Sequence, residues 1–353
     1  MEHVYQYLTF LAQTVTIVVA LLVLAAAIAS FGMRRQSSTS GHLDVRKLNE
    51  QYTDLKYGIQ EAMLPSAALR RQRKQERKAE RRAEKQEAKA LKRGAQKAAD
   101  ARRRIYVVDF HGDIHASQVR ELRIEVTAIL GVAEEGDEVV VRLESGGGMV
   151  HGYGLAASQL DRVRRRGIPL TVAVDKVAAS GGYLMAAVAN RILAAPFAVL
   201  GSIGVIAQVP NVHRLLKRHD VDVEVLTAGK YKRTLTVLGE NTEEGRAKFI
   251  EELEDVHRLF QQFVGTHREG LDLERIATGE TWYGQQALDL KLADEICTSD
   301  EYLLAASDDA DIYEVRWVEH KRPIERLMSQ LESSVDRVAT RGRGRVCLWR
   351  GGV

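Results

Sequence analysis

Three short runs of small residues carry the groups in this chain that could do chemistry: ESGGGMV (144–150), AASGGY (178–183) and LGSIGV (200–205). The second run places one hydroxyl, that of Ser180, between two alanines and two glycines. Glycines leave backbone amides uncovered, and the first turn of a helix leaves further amides without partners. A serine beside such amides is typical of acyl transfer, in which the hydroxyl attacks a carbonyl carbon and the amides stabilise the oxyanion.

A serine nucleophile needs a base that removes its proton, and two kinds of side chain are candidates. A Ser-His-Asp triad could draw on the histidines upstream of Ser180, which are His111, His115 and His151. Lysine is the alternative, because burial lowers the pKa of its amine. Lys176 lies four residues before Ser180, and Lys230 and Lys232 flank a tyrosine in TAGKYKRTLT (227–236). Lys230 and Lys232 would point to the same side of an extended segment, so the alternation of side chains does not choose between them.

The glycine run does not fit a nucleotide-binding loop. A dinucleotide fingerprint needs glycine or alanine at its sixth position, where His151 stands when the count starts at Gly146. The chain has no G-x-x-x-x-G-K-[ST] run either. Its two cysteines, Cys297 and Cys347, are too few and too far apart for a zinc site. We therefore expect neither an organic cofactor nor a metal.

Strand and helix patterns alternate from residue 105 onward, which predicts an α/β fold with a mostly parallel sheet. The predicted strands are RIYVVDF (104–110), DEVVVRLES (137–145) and IPLTVAVD (168–175), with helical spacing between them. The first two small-residue runs follow predicted strands, and the carboxyl edge of a parallel sheet is where sites form. A long amphipathic helix is predicted over 243–268, with an apolar stripe formed by Phe249, Leu253, Val256, Leu259, Phe260 and Phe263.

The amino-terminal third differs in composition from the rest. Residues 8–31 carry no charge and are long enough to span a bilayer. A cleaved signal peptide has a basic segment ahead of its apolar core, and no such segment precedes residue 8. Residues 70–104 hold 16 Lys/Arg against 5 Asp/Glu. That arm is either a solvated helix or a surface attracted to anionic lipid, and we expect no nucleic-acid partner. The predicted organisation is: anchor 1–33, linker 34–65, basic helical or disordered arm 66–104, folded domain 105–300, and an extension 301–353 with a short helix and a basic tail.

The three runs, followed by KYKRT (230–234) and GETWYGQQALDLKLADEI (279–296), occur in the order found in the signal peptide peptidase A family of membrane serine peptidases, which the chain resembles. The resemblance implies a ClpP/crotonase-like superhelical fold and a homo-oligomer whose subunits share sites. It also implies endopeptidase activity on signal-peptide remnants or other unfolded, membrane-associated polypeptides. A bacterial inner-membrane location is expected. The basic residues after the anchor favour a cytoplasmic body, whereas the family favours a periplasmic one.

Residue roles follow from the same resemblance. It implies Ser180 as nucleophile, Lys232 rather than Lys230 as general base, and Ser202 as a support for that lysine. The amides of Gly148 and Gly181 would form the oxyanion hole. The chain departs from the family's N-S-P-G-G loop, with Glu144 and Gly146 in place of Asn and Pro.

Two other functions remain open at the level of sequence. A crotonase-type acyl-CoA enzyme would also use glycine amides as an oxyanion hole, but it would not need the Ser180–Lys232 pair. A non-catalytic oligomeric membrane scaffold would use the basic arm and the body without any turnover.

Overall fold

The computed structural model describes residues 41–63 and 102–319, together with residues 6, 11, 13–16, 78, 82 and 85. The chain divides into two units, one of residues 43–317 and the other of residues 1–42 with 318–353. The functional candidates all lie in the first unit. In the second, residues 6, 11 and 13–16 are helical.

The first unit is built on a mostly parallel sheet, as the alternating pattern predicts. Its main strands run in the order β1-β10-β2-β3-β4-β6-β9. A side branch leaves β3: β5 pairs with β3 and β7 in parallel, and β8 pairs antiparallel with β7. The strands are β1 (Gly41–Lys47), β2 (Arg103–Gly112), β3 (Glu138–Ser145), β4 (Leu170–Val174), β5 (Val177–Ala179), β6 (Arg191–Ala194), β7 (Val199–Gly201), β8 (Thr281–Tyr283), β9 (Glu295–Ile296) and β10 (Ala310–Glu319).

Helices cover both faces of this sheet, so its central strands are buried on both sides, as parallel sheets usually are. Leu122, Val126 and Leu160 pack one face, and Leu48 and Leu303 pack the other. The helices are α1 (Leu48–Met63), α2 (Val119–Val132), α3 (Val150–Arg165), α4 (Gly181–Ala186), α5 (His213–Arg218), α6 (Glu243–His267), α7 (Leu273–Ile276), α8 (Gly284–Asp289) and α9 (Ser299–Ala306).

Two stretches outside the predicted 105–300 domain belong to this sheet. Within 34–65, predicted as a linker, the structure forms β1 and α1; within 301–353, predicted as an extension, it forms most of α9 and β10. The physical reason is coverage: Leu48 of α1 and Leu303 of α9 close the second face over Ile105, Val107 and Val140, which would otherwise meet water.

Asn49 fastens the amino-terminal stretch to the carboxyl-terminal strand. Its amide group donates to the carbonyls of Ser307 (3.2 Å) and Ala310 (2.9 Å), and its oxygen accepts from the Ile312 amide (2.8 Å). We expect Asn49→Ala to lower the free energy of unfolding by about 1–3 kcal/mol, because three backbone groups lose their partner. Chemical denaturation monitored by circular dichroism measures this loss. The exposed Thr53→Ala serves as control, and equal stability of the two variants would contradict the role given to Asn49.

Glu125 of α2 is a buried carboxyl group, and it makes folding pH-dependent. One of its oxygens accepts from the Trp317 amide at 2.7 Å, and the other has no partner in the described chain. Burial raises its pKa from 4.5 to about 7, although the Trp317 amide opposes the shift. Between these two values the folded chain keeps a proton that the unfolded chain has released, so stability falls as pH rises.

Glu125→Gln is expected to remove that loss, because an amide does not ionise. The variant should match the wild-type midpoint of thermal unfolding at pH 4 and exceed it at pH 8. Thermal melts at pH 4, 6 and 8 make the comparison. Parallel pH profiles for the two proteins would show that Glu125 does not carry the effect.

Residues 205–242, here called the exposed segment, pack little against the rest of the single chain. In this segment only Gly239 is buried, and α5 is the one regular element that the structure describes there. The following helix α6 spans nearly the whole of the predicted 243–268. On its predicted apolar stripe, Phe260 and Phe263 pack half-buried against the core, whereas Leu259 is 61% exposed.

Among the residues that the structure describes, no helix is long and apolar enough to cross a bilayer. Of residues 8–31, predicted as an anchor, only 11 and 13–16 are among those described, and nearly all of the basic arm and the whole basic tail (320–353) also lie outside them.

Candidate active site

Ser180 occupies a tight corner between strand β5 and helix α4. Its backbone has φ 51° and ψ −120°, a conformation that residues with side chains rarely adopt. Such a residue costs about 1–3 kcal/mol and is found where the surroundings hold it, often at functional sites. Here the Ser180 amide donates to the Gly201 carbonyl at 2.8 Å, and the Ser180 carbonyl accepts from Leu184 in the first turn of α4. The corner leaves the Ser180 side chain half-buried.

Strand register brings the three small-residue runs together at one edge of the sheet. Ser145 at the end of β3 is paired with Ala178, and Ala179 is paired with Gly201 at the end of β7. The residues that follow these strands therefore meet. A Cβ placed on Gly147 would lie only 2.7 Å from the Ser180 Cβ and from the Gly181 nitrogen. The ESGGGMV loop thus lies directly against the Ser180 corner.

The predicted oxyanion donors Gly148 and Gly181 both carry free amides. Neither amide donates a hydrogen bond within the described chain, whereas the Gly147 amide between them donates to Ser145 Oγ at 3.0 Å. Both positions require glycine because of close contacts. A Cβ on Gly148 would lie 2.2 Å from the Ile114 carbonyl oxygen, and one on Gly181 would lie 2.3 Å from the ring of Tyr153.

Ser202 follows β7 and is the neighbour of Ser180 across the sheet. Like Ser180 it has a positive φ, of 51°, and its amide donates to the Glu280 carbonyl at 2.6 Å. The structure therefore places four of the five predicted site residues (Gly148, Ser180, Gly181 and Ser202) at neighbouring corners. Their assigned roles remain predictions.

The fifth, Lys232, lies in the exposed segment, and its side chain is exposed in the single chain. No hydrogen bond joins it to Ser180 in the described residues, and its amide donates to the Gly229 carbonyl. The burial expected of a lysine that acts as base is therefore absent at Lys232 in the single chain. The physical reason is that the exposed segment has too few apolar contacts of its own to exclude water.

The two other candidate lysines are occupied by carboxylates. Lys230 pairs with Glu244 at 2.7 Å, and this hydrogen bond raises the pKa of the Lys230 amine. Lys176 pairs with Glu144 at 2.9 Å. The raised pKa makes Lys230 a poor base, because its amine stays charged at neutral pH. Glu144, which departs from the family pattern, holds Lys176 in an exposed ion pair, and no hydrogen bond joins Lys176 to Ser180 in the described chain.

The histidines do not complete a triad in the single chain. His111, His115 and His151 are all exposed, and among the described residues none of them hydrogen-bonds Ser180. Ser180 thus lies beside the free Gly181 amide and against the glycine loop, and no basic side chain hydrogen-bonds it in the described chain.

Comparison with known proteins identifies the family. The model of the N-terminal part of peptidase family S49 matches residues 2–160, and the model of peptidase family S49 matches residues 162–313. The chain belongs to peptidase family S49. This confirms the resemblance drawn from the five motifs and makes proteolysis the activity class that the family supports.

Relatives named as probable SohB proteases match most of this S49 chain. The chain is 50% identical to the probable protease SohB of Haemophilus influenzae over 328 residues, which is 93% of each protein. It is 44% identical to the probable protease SohB of Buchnera aphidicola subsp. Schlechtendalia chinensis, covering 86% of this chain and 100% of the relative.

Solved structures similar to this S49 chain are more distant. A mutant of the 1510-N membrane-bound stomatin-specific protease has a TM-score of 0.39 at 12% identity, covering 58% of this chain and 85% of that one. An enoyl-CoA hydratase/isomerase family protein from Silicibacter pomeroyi has a TM-score of 0.35 at 11% identity, covering 57% and 76%.

Proposed function

We propose that this chain is a membrane-anchored serine endopeptidase that uses a Ser180–Lys232 dyad. The observation that carries the proposal is the Ser180 corner, where a serine on a strained backbone precedes the free Gly181 amide and packs against the glycine loop that holds the free Gly148 amide. A packing serine would not need the strained φ, which costs about 1–3 kcal/mol.

The residues then act in sequence on a peptide bond. The neutral amine of Lys232 takes the proton of the Ser180 hydroxyl as Oγ attacks the peptide carbonyl carbon, and the carbonyl electrons move to its oxygen. The Gly148 and Gly181 amides donate to this oxyanion. Collapse of the intermediate breaks the C–N bond, and the leaving amine takes the proton from Lys232. Water then repeats the cycle on the acyl-enzyme with Lys232 as base, releasing the acid and restoring Ser180.

Lys232 must lose contact with water to be neutral near pH 7, and we attribute this to assembly of identical subunits. The exposed segment carries large apolar side chains that lack cover in the single chain: Ile206 is 81% and Leu226 is 88% exposed. Exposed apolar patches of this kind mark interaction sites. Packing of the segment against a second copy would bury these side chains and bring Lys232 beside a Ser180, with Ser202 close enough to orient the amine.

The substrates that fit this proposal are unfolded or membrane-associated polypeptides, including signal-peptide remnants. An anchor at residues 8–31 would hold the enzyme at a bacterial inner membrane, and the basic arm would attract anionic lipid headgroups. Both features would keep the Ser180 corner near segments released within or beside the bilayer. The proposal calls for no nucleic-acid partner.

Hydrolysis of an unfolded protein by the full-length chain tests the function. The purified protein in detergent micelles should cleave denatured casein and leave a tightly folded protein intact, and metal chelators should not change the rate. Turnover of an acyl-CoA in place of casein would replace the proposal with the crotonase-type alternative. A correctly assembled protein with neither activity would indicate the scaffold.

A further inference from the structure

A chain of buried hydrogen bonds runs beneath the Ser180 corner and involves no residue of the proposed dyad. The Gly147 amide donates to Ser145 Oγ at 3.0 Å, Ser145 Oγ lies 2.5 Å from Tyr153 Oη, and Tyr153 Oη donates to the Asp113 carbonyl at 2.7 Å. Ser145 is 2% exposed and Tyr153 is fully buried. These bonds join the loops that follow β2 and β3 to helix α3.

The direction of each proton in this chain is fixed by chemistry. A carbonyl oxygen can only accept, so the single hydrogen of the Tyr153 hydroxyl is given to Asp113. The hydrogen between the two hydroxyls must then come from Ser145, whose Oγ is left to accept from the Gly147 amide. All donors therefore point the same way, from Gly147 to Asp113. Bonds aligned in this manner polarise and strengthen one another at low dielectric.

The same tyrosine also supports the other side of the oxyanion hole. Its ring lies so close to Gly181 that a Cβ there would come within 2.3 Å of it. Its hydroxyl, at the far end of the ring, reaches the glycine loop through Ser145. One rigid side chain thus sets the separation between the Gly147–Gly148 peptide and the Gly181 amide. The arrangement also engages the Gly147 amide, whereas that of Gly148 has no acceptor in the described chain.

We propose that Ser145 and Tyr153 are positioning residues for catalysis, which hold the Gly148 and Gly181 amides at the spacing that the oxyanion requires. The inference rests on the proposed peptidase function. Neither side chain touches the substrate. Their effect is on the transition state, since amides that are misplaced by a fraction of an ångström bind the ground-state carbonyl almost as well but the oxyanion much less well.

Three variants test this chain of hydrogen bonds: Tyr153→Phe, Ser145→Ala and the double variant. The first of them keeps the aromatic ring against Gly181. Tyr302→Phe is the matched control. Like Tyr153→Phe, it removes a hydroxyl that donates to a residue of β3, because Tyr302 Oη donates to Glu138 at 2.7 Å. Glu138, however, lies at the start of β3, whereas Ser145 lies at its end. Thermal unfolding and assembly state are recorded for all four proteins, with kcat and KM for a fluorogenic peptide.

Each single variant should lower kcat by about tenfold or more, since loss of an oxyanion donor costs about 10²–10³ and misplacement costs part of that. KM should stay within about twofold of wild type. The kcat of the double variant should resemble that of the less active single variant, because both substitutions break the same chain of hydrogen bonds. Tyr302→Phe should keep wild-type kcat despite a similar loss of stability. Folded variants with wild-type kcat, or a double variant whose losses multiply, would overturn the inference.

Failure of this inference and failure of the proposed function look different. If the wild type cleaves peptides and the Ser145 and Tyr153 variants equal it, the peptidase stands and the positioning role falls. If the wild type itself cleaves nothing while correctly assembled, the function falls, and the positioning role falls with it.

Discussion

Replacement of Ser180 by alanine is expected to lower kcat for peptide hydrolysis by about 10⁴-fold or more, the scale found when a serine peptidase loses its nucleophile. The fold should be unaffected. The Ser180 side chain makes no hydrogen bond in the described chain, and alanine tolerates the φ of 51° as well as serine does. The corner is held by its backbone bonds to Gly201 and Leu184, which the substitution keeps.

The measurement is casein or peptide hydrolysis by the purified variant, with size-exclusion chromatography as a check on assembly. Ser158→Ala is a suitable control, since the exposed Ser158 hydroxyl only donates to the Gly154 carbonyl of its own helix. That control should hydrolyse peptides at the wild-type rate. Substantial turnover by assembled Ser180→Ala protein would remove this residue from the mechanism.

Replacement of Lys232 by alanine should have an effect of similar size at neutral pH, since the Ser180 hydroxyl then has no base. Lys232→Arg should be equally inactive, because a guanidinium does not give up its proton in proteins. Lys230→Ala is the matched control. It removes an identical charge two residues away, from an amine already engaged by Glu244, and should keep most of the wild-type kcat. The reverse pattern would assign the base to Lys230.

Mixing the two inactive proteins tests whether subunits share sites. Ser180→Ala and Lys232→Ala chains, coexpressed and purified as mixed assemblies through two different tags, should regain part of the wild-type activity. An intact Lys232 from one subunit then meets an intact Ser180 from the next. No recovery in verified mixed assemblies would mean that each dyad forms within one chain, and the shared-site arrangement would be wrong while the dyad itself stood.

The Ser180 corner could be predicted from sequence because it depends on local features. The first two runs follow predicted strands, and parallel strands end at the same edge, so Gly148 and Ser180 are expected to lie close together. Strand β7, which brings Ser202 to that edge, has no counterpart among the predicted strands. The register of β5 with β7 then made Ser180 and Ser202 neighbours. The family followed from the order of five motifs rather than from any one of them.

Other features depend on distant contacts and leave little local signal. The β1-α1 stretch is mixed polar sequence with one buried leucine, Leu48, and what places it in the fold is the bonding of Asn49 to β10, more than 250 residues away. Ser145 and Tyr153 lie close in sequence to the glycines, but a serine and a tyrosine eight residues apart do not by their spacing predict a hydrogen bond. Of the six side chains on the α6 stripe, five are half-buried in the single chain, and Leu259 is exposed.

Mapping of a fluorophosphonate adduct tests the central claim most directly, because this reagent bonds far faster to a serine that is activated as a nucleophile than to an ordinary serine. The assembled wild-type protein is labelled at neutral pH, digested and analysed by mass spectrometry, with Lys232→Ala protein treated in parallel. The account predicts one modified residue, Ser180, in the wild type and almost no adduct in the variant. A label on another serine, or equal labelling of Ser180 without Lys232, would contradict it.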